Sequence, residues 1–244
     1  MTTDLTEKHA LVTREDFAVG GITKGSGMIA PNMGTMLAFL YTDAEITARK
    51  LKSALKKATR RTFNQVVVDG DMSTNDIALC TSTGLAGKIK PDEFGEALEE
   101  CCRILAIQIA MDGEGATKLI EVFVKGAPSE EGAAKVARTV TSSPLVKTAV
   151  YGEDPNWGRV IAAAGRAGVR FNPDKADLLI SDGTTVIPLV NAGRIVVDLA
   201  AAKKAMHGKK VMFELDLHAG DGTATAWGCD LTEKYVEING RYTT

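Results

Sequence analysis

The spacing of hydrophobic residues predicts an alternation of helices and strands in the first half of the chain. Alanine and leucine recur every three or four residues from Asp43 through Ala58, and a second apolar stripe of this spacing runs from about residue 92 to 110. Both are typical of helices with one buried face. Residues 65–69 and 77–80 are short apolar runs between turn residues, which predict buried strands.

The second half is predicted to contain more strands than helices. A strand at 119–124 precedes a helix that Ser129 caps, and a short alanine-rich helix follows Trp157. Gly220-Asp-Gly222 has the composition of a hairpin turn. Further strands are predicted at 178–181, 185–189, 195–198, 211–217 and 223–227. This order of elements predicts the α+β class, with mixed β-sheets packed with helices.

A glycine-rich loop near the start of the chain is the strongest candidate for chemistry. Residues 1–34 are predicted to form short strands and loops, and the stretch from Lys24 to Gly34 is polar and rich in glycine. The chain becomes apolar directly after Thr35, over residues 36–41. This pattern places a threonine hydroxyl at the mouth of a buried strand.

Thr35 could serve as a nucleophile if the Gly34–Thr35 bond were cut. The residue would then carry both a hydroxyl and a free α-amine to act as its base. That amine has a pKa of roughly 7.7–8.0, and the Lys24 cation would increase its unprotonated fraction. A threonine at such a junction can equally cap a turn or begin a strand, and the local pattern leaves both interpretations open.

Two phosphate-binding motifs are excluded by their surroundings. Residues 25–30 spell G-x-G-x-x-A, but a dinucleotide site needs a helix to begin there, and Pro31-Asn32 follows instead. The stretch 112–118 lacks the Gly-Lys-Ser/Thr sequence of a phosphate loop. The basic residues of the first helix favour a solvated face over a site for the phosphates of an acidic cofactor.

Composition narrows the class of protein further. The 244 residues include 45% hydrophobic and 25% charged residues, with a net charge of −2, which argues against nucleic-acid and polybasic membrane partners. No apolar run of about 18 residues and no signal sequence is present, so a cytoplasmic protein is expected. The four cysteines lack zinc-site spacing and predict buried thiols with no metal.

Six motifs together resemble one enzyme family, the glutamate N-acetyltransferases of arginine biosynthesis, also called ornithine acetyltransferases. The resemblance extends in register over essentially the whole chain. The motifs are KGSGMIAPNMGTML at 24–37, VDGDMSTND at 68–76, DGEGATK at 112–118, GEDPNWGR at 152–159, GDGTATAWGCD at 220–230 and INGRYTT at 238–244.

The resemblance implies an autoprocessing enzyme with an N-terminal-nucleophile-like fold. Its members cut themselves before a threonine, which takes an acetyl group from N-acetylornithine and passes it to glutamate through an acetyl-threonine intermediate. No bound cofactor is implied, although some members accept acetyl-CoA as a substrate. Carried over to this chain, Thr35 is the nucleophile and Gly34–Thr35 the cleaved bond. The implied substrate-binding residues are Thr2, Lys24, Thr35, Glu114, Asn239 and Thr244.

The residue types suit these implied roles. The α-carboxylates of ornithine and glutamate need a cation or hydroxyl and amide donors, which Lys24, Thr2, Asn239 and Thr244 supply. Glu114 could pair with the ornithine ammonium.

The resemblance also implies a division into residues 1–34, the tail of an α half, and 35–244, a β chain. Family members carry a further upstream half with the Thr-Gly pair of the oxyanion hole, and this half is expected as a partner in an αβ heterotetramer. The family usually has alanine where Gly34 stands, a change that should permit cleavage. Two alternatives remain: an inactive fragment that needs its upstream half, and an N-terminal-threonine amidohydrolase.

Overall fold

A computed structural model describes residues 3–30, 36–73 and 75–241. The chain divides into two compact units, Met1–Gly113 and Glu114–Thr244, and each combines β-strands with helices. Mixed sheets packed with helices confirm the predicted α+β class. The predicted division at residue 34 concerns a cleavage, which this partition into units does not test.

The first unit contains a four-stranded sheet and two α-helices among its described residues. The sheet has the order β1-β2-β3-β5, in which β2 is antiparallel to both β1 and β3, and β5 is parallel to β3. The elements of this unit are β1 (Lys8–Thr13), β2 (Ala18–Lys24), β3 (Leu37–Thr42), α1 (Ala48–Arg61), β4 (Val66–Val67), β5 (Ile77–Ser82) and α2 (Pro91–Met111).

The two faces of this sheet differ in burial. Helix α2 packs on the inner face across β1 and β2, as the apolar stripe at 92–110 predicted. Gly21 permits this close packing, because a Cβ there would lie 2.7 Å from Leu40 Cδ2 and 3.0 Å from Leu105 Cδ1. The outer face carries large apolar side chains that are 48% to 70% exposed, namely Leu11, Ile22, Tyr41, Ile77 and Leu79.

Helix α1 begins five residues later than the periodicity predicted, at Ala48 rather than Asp43. The preceding residues form tertiary hydrogen bonds instead of a helical turn. Asp43 accepts the Ala18 N–H at 2.9 Å, and the Glu45 N–H bonds to the Gly87 carbonyl at 2.8 Å. The basic side chains of α1 are mostly exposed, in agreement with a solvated face.

The second unit contains a mixed sheet with helices packed on it. Six of its strands have the order β11-β6-β10-β7-β8-β9, and β10 runs parallel to β6 while the other neighbours are antiparallel. The elements are β6 (Leu119–Ala127), α3 (Glu130–Thr141), α4 (Pro144–Tyr151), α5 (Trp157–Gly165), β7 (Asp177–Ser181), β8 (Val186–Asn191), β9 (Arg194–Ile195), α6 (Leu199–Ala205), β10 (Lys210–Asp216), β11 (Gly222–Cys229) and α7 (Glu233–Arg241).

Helix α3 provides much of the cover for this sheet. It packs on β6 and β11, and its buried positions include Ala133, Ala137 and Val140. Ser129 caps it as predicted, by accepting the Gly132 N–H at 3.0 Å. Among the described residues, no helix is both long and apolar enough to cross a membrane.

The predicted hairpin at residues 220–222 is wrong, because β10 and β11 do not pair with each other. Strand β6 lies between them. The glycines serve close packing against the end of β6 and the start of α3. A Cβ at Gly222 would lie 2.2 Å from the Ser129 carbonyl carbon, and one at Gly220 would lie 2.6 Å from the Ala127 oxygen.

Two predicted strands are shorter in the structure. The strand predicted at 195–198 retains only Ile195, because Asp198 caps α6 by accepting the Ala200 and Ala201 N–H groups at 3.0 and 3.1 Å. The strand predicted at 65–69 is reduced to β4. Asp69 lies beyond it and binds the glycine-rich loop.

Candidate functional site

Three strand ends meet at one edge of the first unit's sheet. Strand β2 ends at Lys24, which pairs with Leu37 at the start of β3, and Leu37 in turn pairs with Ile77 at the start of β5. The antiparallel and parallel pairings together bring these three ends to the same edge. The predicted cation Lys24 therefore lies in the row of residues where β3 begins.

Met36, the residue directly after Thr35, is held by the start of β5. Its N–H donates to Asp76 Oδ1 at 2.9 Å, and its carbonyl accepts the Ile77 N–H at 3.2 Å. The Met36 side chain is buried. Strand β2 adds a further bond, because Thr23 Oγ1 donates to the Leu37 carbonyl at 3.0 Å. The chain is thus fixed on both sides where it enters β3.

Asp76 is half-buried and lies within the electrostatic field of Lys24. Burial raises its pKa above the ordinary value, against the opposing effects of the Met36 N–H hydrogen bond and the Lys24 charge. A carboxylate and an ammonium thus act on the same end of the sheet. Neighbouring opposite charges of this kind are common at sites that bind or move charged groups.

The glycine-rich loop is fastened by a second carboxylate. Asp69 accepts the Met28 and Ile29 N–H groups at 2.6 and 3.1 Å, and the Val68 N–H donates to the Ile29 carbonyl at 2.8 Å. Met28 adopts φ 54°, a left-handed conformation that these bonds support. Residues 25–30 form no helix, which confirms that the G-x-G-x-x-A stretch is not a dinucleotide motif.

The start of the described chain docks on the other side of this loop. Thr3 Oγ1 and Ser26 Oγ are 2.6 Å apart, and Asp4 accepts the Gly25 N–H at 2.8 Å. The buried Lys8 forms ion pairs with both Asp4 and Asp112, the residue at the end of α2. Thr3 and Asp4 therefore lie beside the residues that follow Lys24.

Glu114 and Asn239 come together in the second unit. Asn239 lies on α7, and its Nδ2 donates to Glu114 Oε2 at 2.8 Å and to the Tyr235 carbonyl at 3.1 Å. Gly115 makes this approach possible, because it adopts φ 70° and a Cβ there would lie 2.6 Å from the Tyr235 nitrogen. The structure thus joins an acidic and an amide side chain that were predicted separately.

The remaining predicted residues, Thr2, Gly34, Thr35 and Thr244, lie outside the described residues. The motif at residues 68–76 contains Asp69 and Asp76, but the sequence analysis gave these two carboxylates no role, and it did not single out Asp4. The available signal for Asp69 and Asp76 was their position in the chain, since Asp69 follows strand β4 and Asp76 directly precedes strand β5.

The four cysteines are buried free thiols, as predicted. Burial raises the pKa of Cys80 to about 11 and that of Cys101 to about 12, so neither is a reactive thiolate at neutral pH. The described part of the chain contains no group of three histidine, cysteine, aspartate or glutamate side chains that could hold a metal ion.

Fold and site together define an α+β protein in which the strand ends of one sheet present charged side chains beside a glycine-rich loop. Comparison with known proteins specifies the family. The ArgJ family matches residues 1–244, and the chain belongs to it.

Individual relatives match over the whole of this chain. A glutamate N-acetyltransferase from Methanosarcina mazei is 51% identical over 100% of this chain and 64% of its own length. The arginine biosynthesis bifunctional protein ArgJ from Symbiobacterium thermophilum is 50% identical, over 100% of this chain and 63% of its own length. The chain thus spans less than two thirds of these relatives.

A solved structure is also similar. The crystal structure of the arginine biosynthesis bifunctional protein argJ from Bacillus halodurans has a TM-score of 0.77 and 42% sequence identity. The match covers 82% of this chain and 96% of that chain. It confirms the ornithine acetyltransferase fold that the motifs implied.

Proposed function

We propose that this chain carries the nucleophile of an acetyltransferase that moves an acetyl group from N-acetylornithine to glutamate. The supporting observation is that Lys24 and Asp76 lie at the strand ends where Met36, the residue directly after Thr35, enters the sheet. The chain also belongs to the ArgJ family. Lys24 thus provides a cation for a substrate carboxylate at the strand ends, close in sequence to the predicted nucleophile.

The proposed maturation cuts the Gly34–Thr35 bond. The Thr35 hydroxyl oxygen attacks the Gly34 carbonyl carbon, and the C–N bond breaks as the nitrogen takes a proton. Water then hydrolyses the resulting ester, which leaves a carboxylate on Gly34 and a free α-amine on Thr35. A threonine with a free amine is an established type of activated nucleophile.

The proposed transfer proceeds in two half-reactions. The Thr35 amine accepts the hydroxyl proton while the oxygen attacks the acetyl carbonyl of N-acetylornithine, and the amide C–N bond breaks as ornithine leaves with that proton. The glutamate amine then attacks the acetyl ester, the ester C–O bond breaks, and the hydroxyl regains a proton. The charge of Lys24 favours the unprotonated amine, whose ordinary pKa is roughly 7.7–8.0.

Substrate recognition is proposed to follow the residue types. Lys24 would bind an α-carboxylate, and Glu114 would accept the ornithine ammonium while Asn239 orients its carboxylate. The Asn239–Glu114 hydrogen bond supports a joint role for the latter two residues. The roles of Thr2 and Thr244, and acetyl-CoA as a second donor, stay predictions.

We further propose that the outer face of the four-stranded sheet binds the segment that the relatives possess and this chain does not cover. The face exposes Leu11, Ile22, Tyr41, Ile77 and Leu79, an extent of apolar surface that usually marks an interaction site. Lys24 lies in the same row as Leu37 and the outward-facing Ile77, so the partner would also border the candidate site. An αβ heterotetramer built from such pairs stays a prediction.

Mass spectrometry tests the proposed cleavage. The chain, co-expressed with the uncovered segment of the Methanosarcina mazei relative, should yield two pieces separated before Thr35, whereas Thr35→Ala should remain whole. Acetyl transfer from N-acetylornithine to glutamate should exceed release of free acetate. Faster release of acetate would favour the amidohydrolase, and an uncut chain without activity would favour the inactive fragment.

A pair of substitutions tests the proposed interface. Ile22→Lys places a charge in the apolar outer face and should reduce recovery of the co-expressed segment at least tenfold. Leu145→Lys alters an apolar residue of α4 that is exposed to a similar degree and should leave recovery unchanged. Equal recovery with both variants would exclude the outer face as the binding surface.

A further inference from the structure

Asp76 performs a task that neither the motifs nor the proposed reaction assigned to it. The Met36 nitrogen that donates to its carboxylate is bonded directly to the Thr35 carbonyl carbon. A carboxylate that fixes the Met36 N–H therefore constrains the residue that is covalently bonded to the predicted nucleophile. Asp76 therefore acts one peptide unit away from the predicted nucleophile.

The bond from Asp76 is part of a two-point attachment. The next residue, Ile77, donates its N–H to the Met36 carbonyl at 3.2 Å. Asp76 and the first residue of β5 therefore hold both polar backbone groups of Met36. The parallel register of β3 and β5 keeps this geometry in place from Leu37 onward. The register alone does not orient the Met36 N–H, which bonds to a side chain.

We propose that Asp76 is a positioning residue for Thr35, which acts through its hydrogen bond with the N–H of Met36, the residue that follows the nucleophile. The inference rests on the proposed function. Loss of the acceptor should misplace the nucleophile rather than weaken substrate binding. Misplacement by about 1 Å can reduce a rate by about 100-fold.

Three variants separate positioning from simple stabilisation. Asp76→Ala removes the acceptor, and Asp76→Asn retains a carbonyl oxygen but removes the charge. Asp43→Ala is the matched control, because Asp43 accepts the Ala18 N–H at the same 2.9 Å distance at the opposite end of β2 and β3. Each is co-expressed with the uncovered segment of the Methanosarcina mazei relative and measured for self-cleavage, transfer kinetics and thermal stability.

Asp76→Ala should reduce the cleavage rate and kcat by about 10- to 100-fold, with KM for N-acetylornithine changed less than threefold. Asp43→Ala should lose similar thermal stability but keep its rates within about threefold. Asp76→Asn should retain most of its rate. Its kcat/KM profile should move to lower pH by about half a unit, because removal of a negative charge favours the neutral amine.

If the wild-type complex cleaves itself and transfers acetyl groups, but Asp76→Ala and Asp43→Ala have equal rates, the positioning role of Asp76 is overturned and the proposed function stands. If Asp76→Ala does not fold, Asp76→Asn decides the matter: a pH profile unchanged from wild type, or a loss of rate beyond tenfold, contradicts the positioning role. An inactive wild-type complex refutes the proposed function, and the inference fails with it.

Discussion

Substitution of Lys8 should be among the most destabilising changes in the first unit. Lys8 is only 3% exposed, and its ammonium lies between the Asp4 and Asp112 carboxylates. Asp112 also accepts the N–H groups of Leu5 and Thr6, at 3.0 and 3.3 Å. Lys8→Met keeps most of the side-chain volume but leaves the two carboxylates without their common cation.

The expected cost follows from the burial of this ion pair. Removal of one partner from a buried pair typically costs about 3–5 kcal/mol, because the remaining charge is left uncompensated. For a chain of this size that corresponds to a decrease of roughly 6–20 °C in Tm. The loop at Gly25 should also loosen, since Asp4 accepts its N–H at 2.8 Å.

Thermal and urea unfolding at neutral pH measure the effect, and Arg14→Met supplies the control. Arg14 pairs with Glu100 at 2.6 Å, but their side chains are 31% and 38% exposed, so about 0.2–1 kcal/mol is expected. A Lys8→Met variant that unfolds within about 1 kcal/mol of wild type, or no earlier than Arg14→Met, would refute the reasoning from burial.

Two further predictions concern the second unit, and the second of them has its control on α2 of the first unit. The hydrogen bond to Asp177 raises the pKa of His218, so its contribution to stability is complete below the ordinary histidine pKa and is lost as pH rises through the folded value. The difference in Tm between wild type and His218→Asn should therefore shrink from pH 6 to pH 8.5, and a constant difference would contradict this. Gly222→Ala should destabilise the protein, because its Cβ would lie 2.2 Å from the backbone of Ser129, whereas Gly95→Ala on α2 has open space and should stabilise it by about 0.5–1 kcal/mol. Thermal unfolding of both variants checks the contrast, and an equal Tm for the two would show that the close approach is relieved at no cost.

Much of the secondary structure could be predicted because it depends on nearby residues. The three-to-four spacing that predicted α2 indicates which face of the helix is buried. Ser129 caps α3 through a hydrogen bond with Gly132, three residues away. The burial of the cysteines likewise followed from their own surroundings in the sequence. The start of α1 could not be read this way, because Asp43 bonds to Ala18 across the sheet.

The candidate site was predictable in its residue types but not in its connections. Lys24 and Thr35 stand eleven positions apart in the sequence, so their association required no knowledge of the fold. Asp76 binds Met36 from 40 positions away, and Asn239 reaches Glu114 across 125 positions. Nothing in the local pattern around Asp76 distinguishes it from another residue that begins a strand.

Local sequence was enough to indicate which faces of α2 and α3 are buried and which stretch contains the glycines, Lys24 and Thr35. The position of β6 between β10 and β11, and the carboxylate that accepts the Met36 N–H, are known only from the folded chain. Periodicity and capping act over a few residues. Strand order and the partners of distant polar groups depend on how the whole chain satisfies its hydrogen bonds at once.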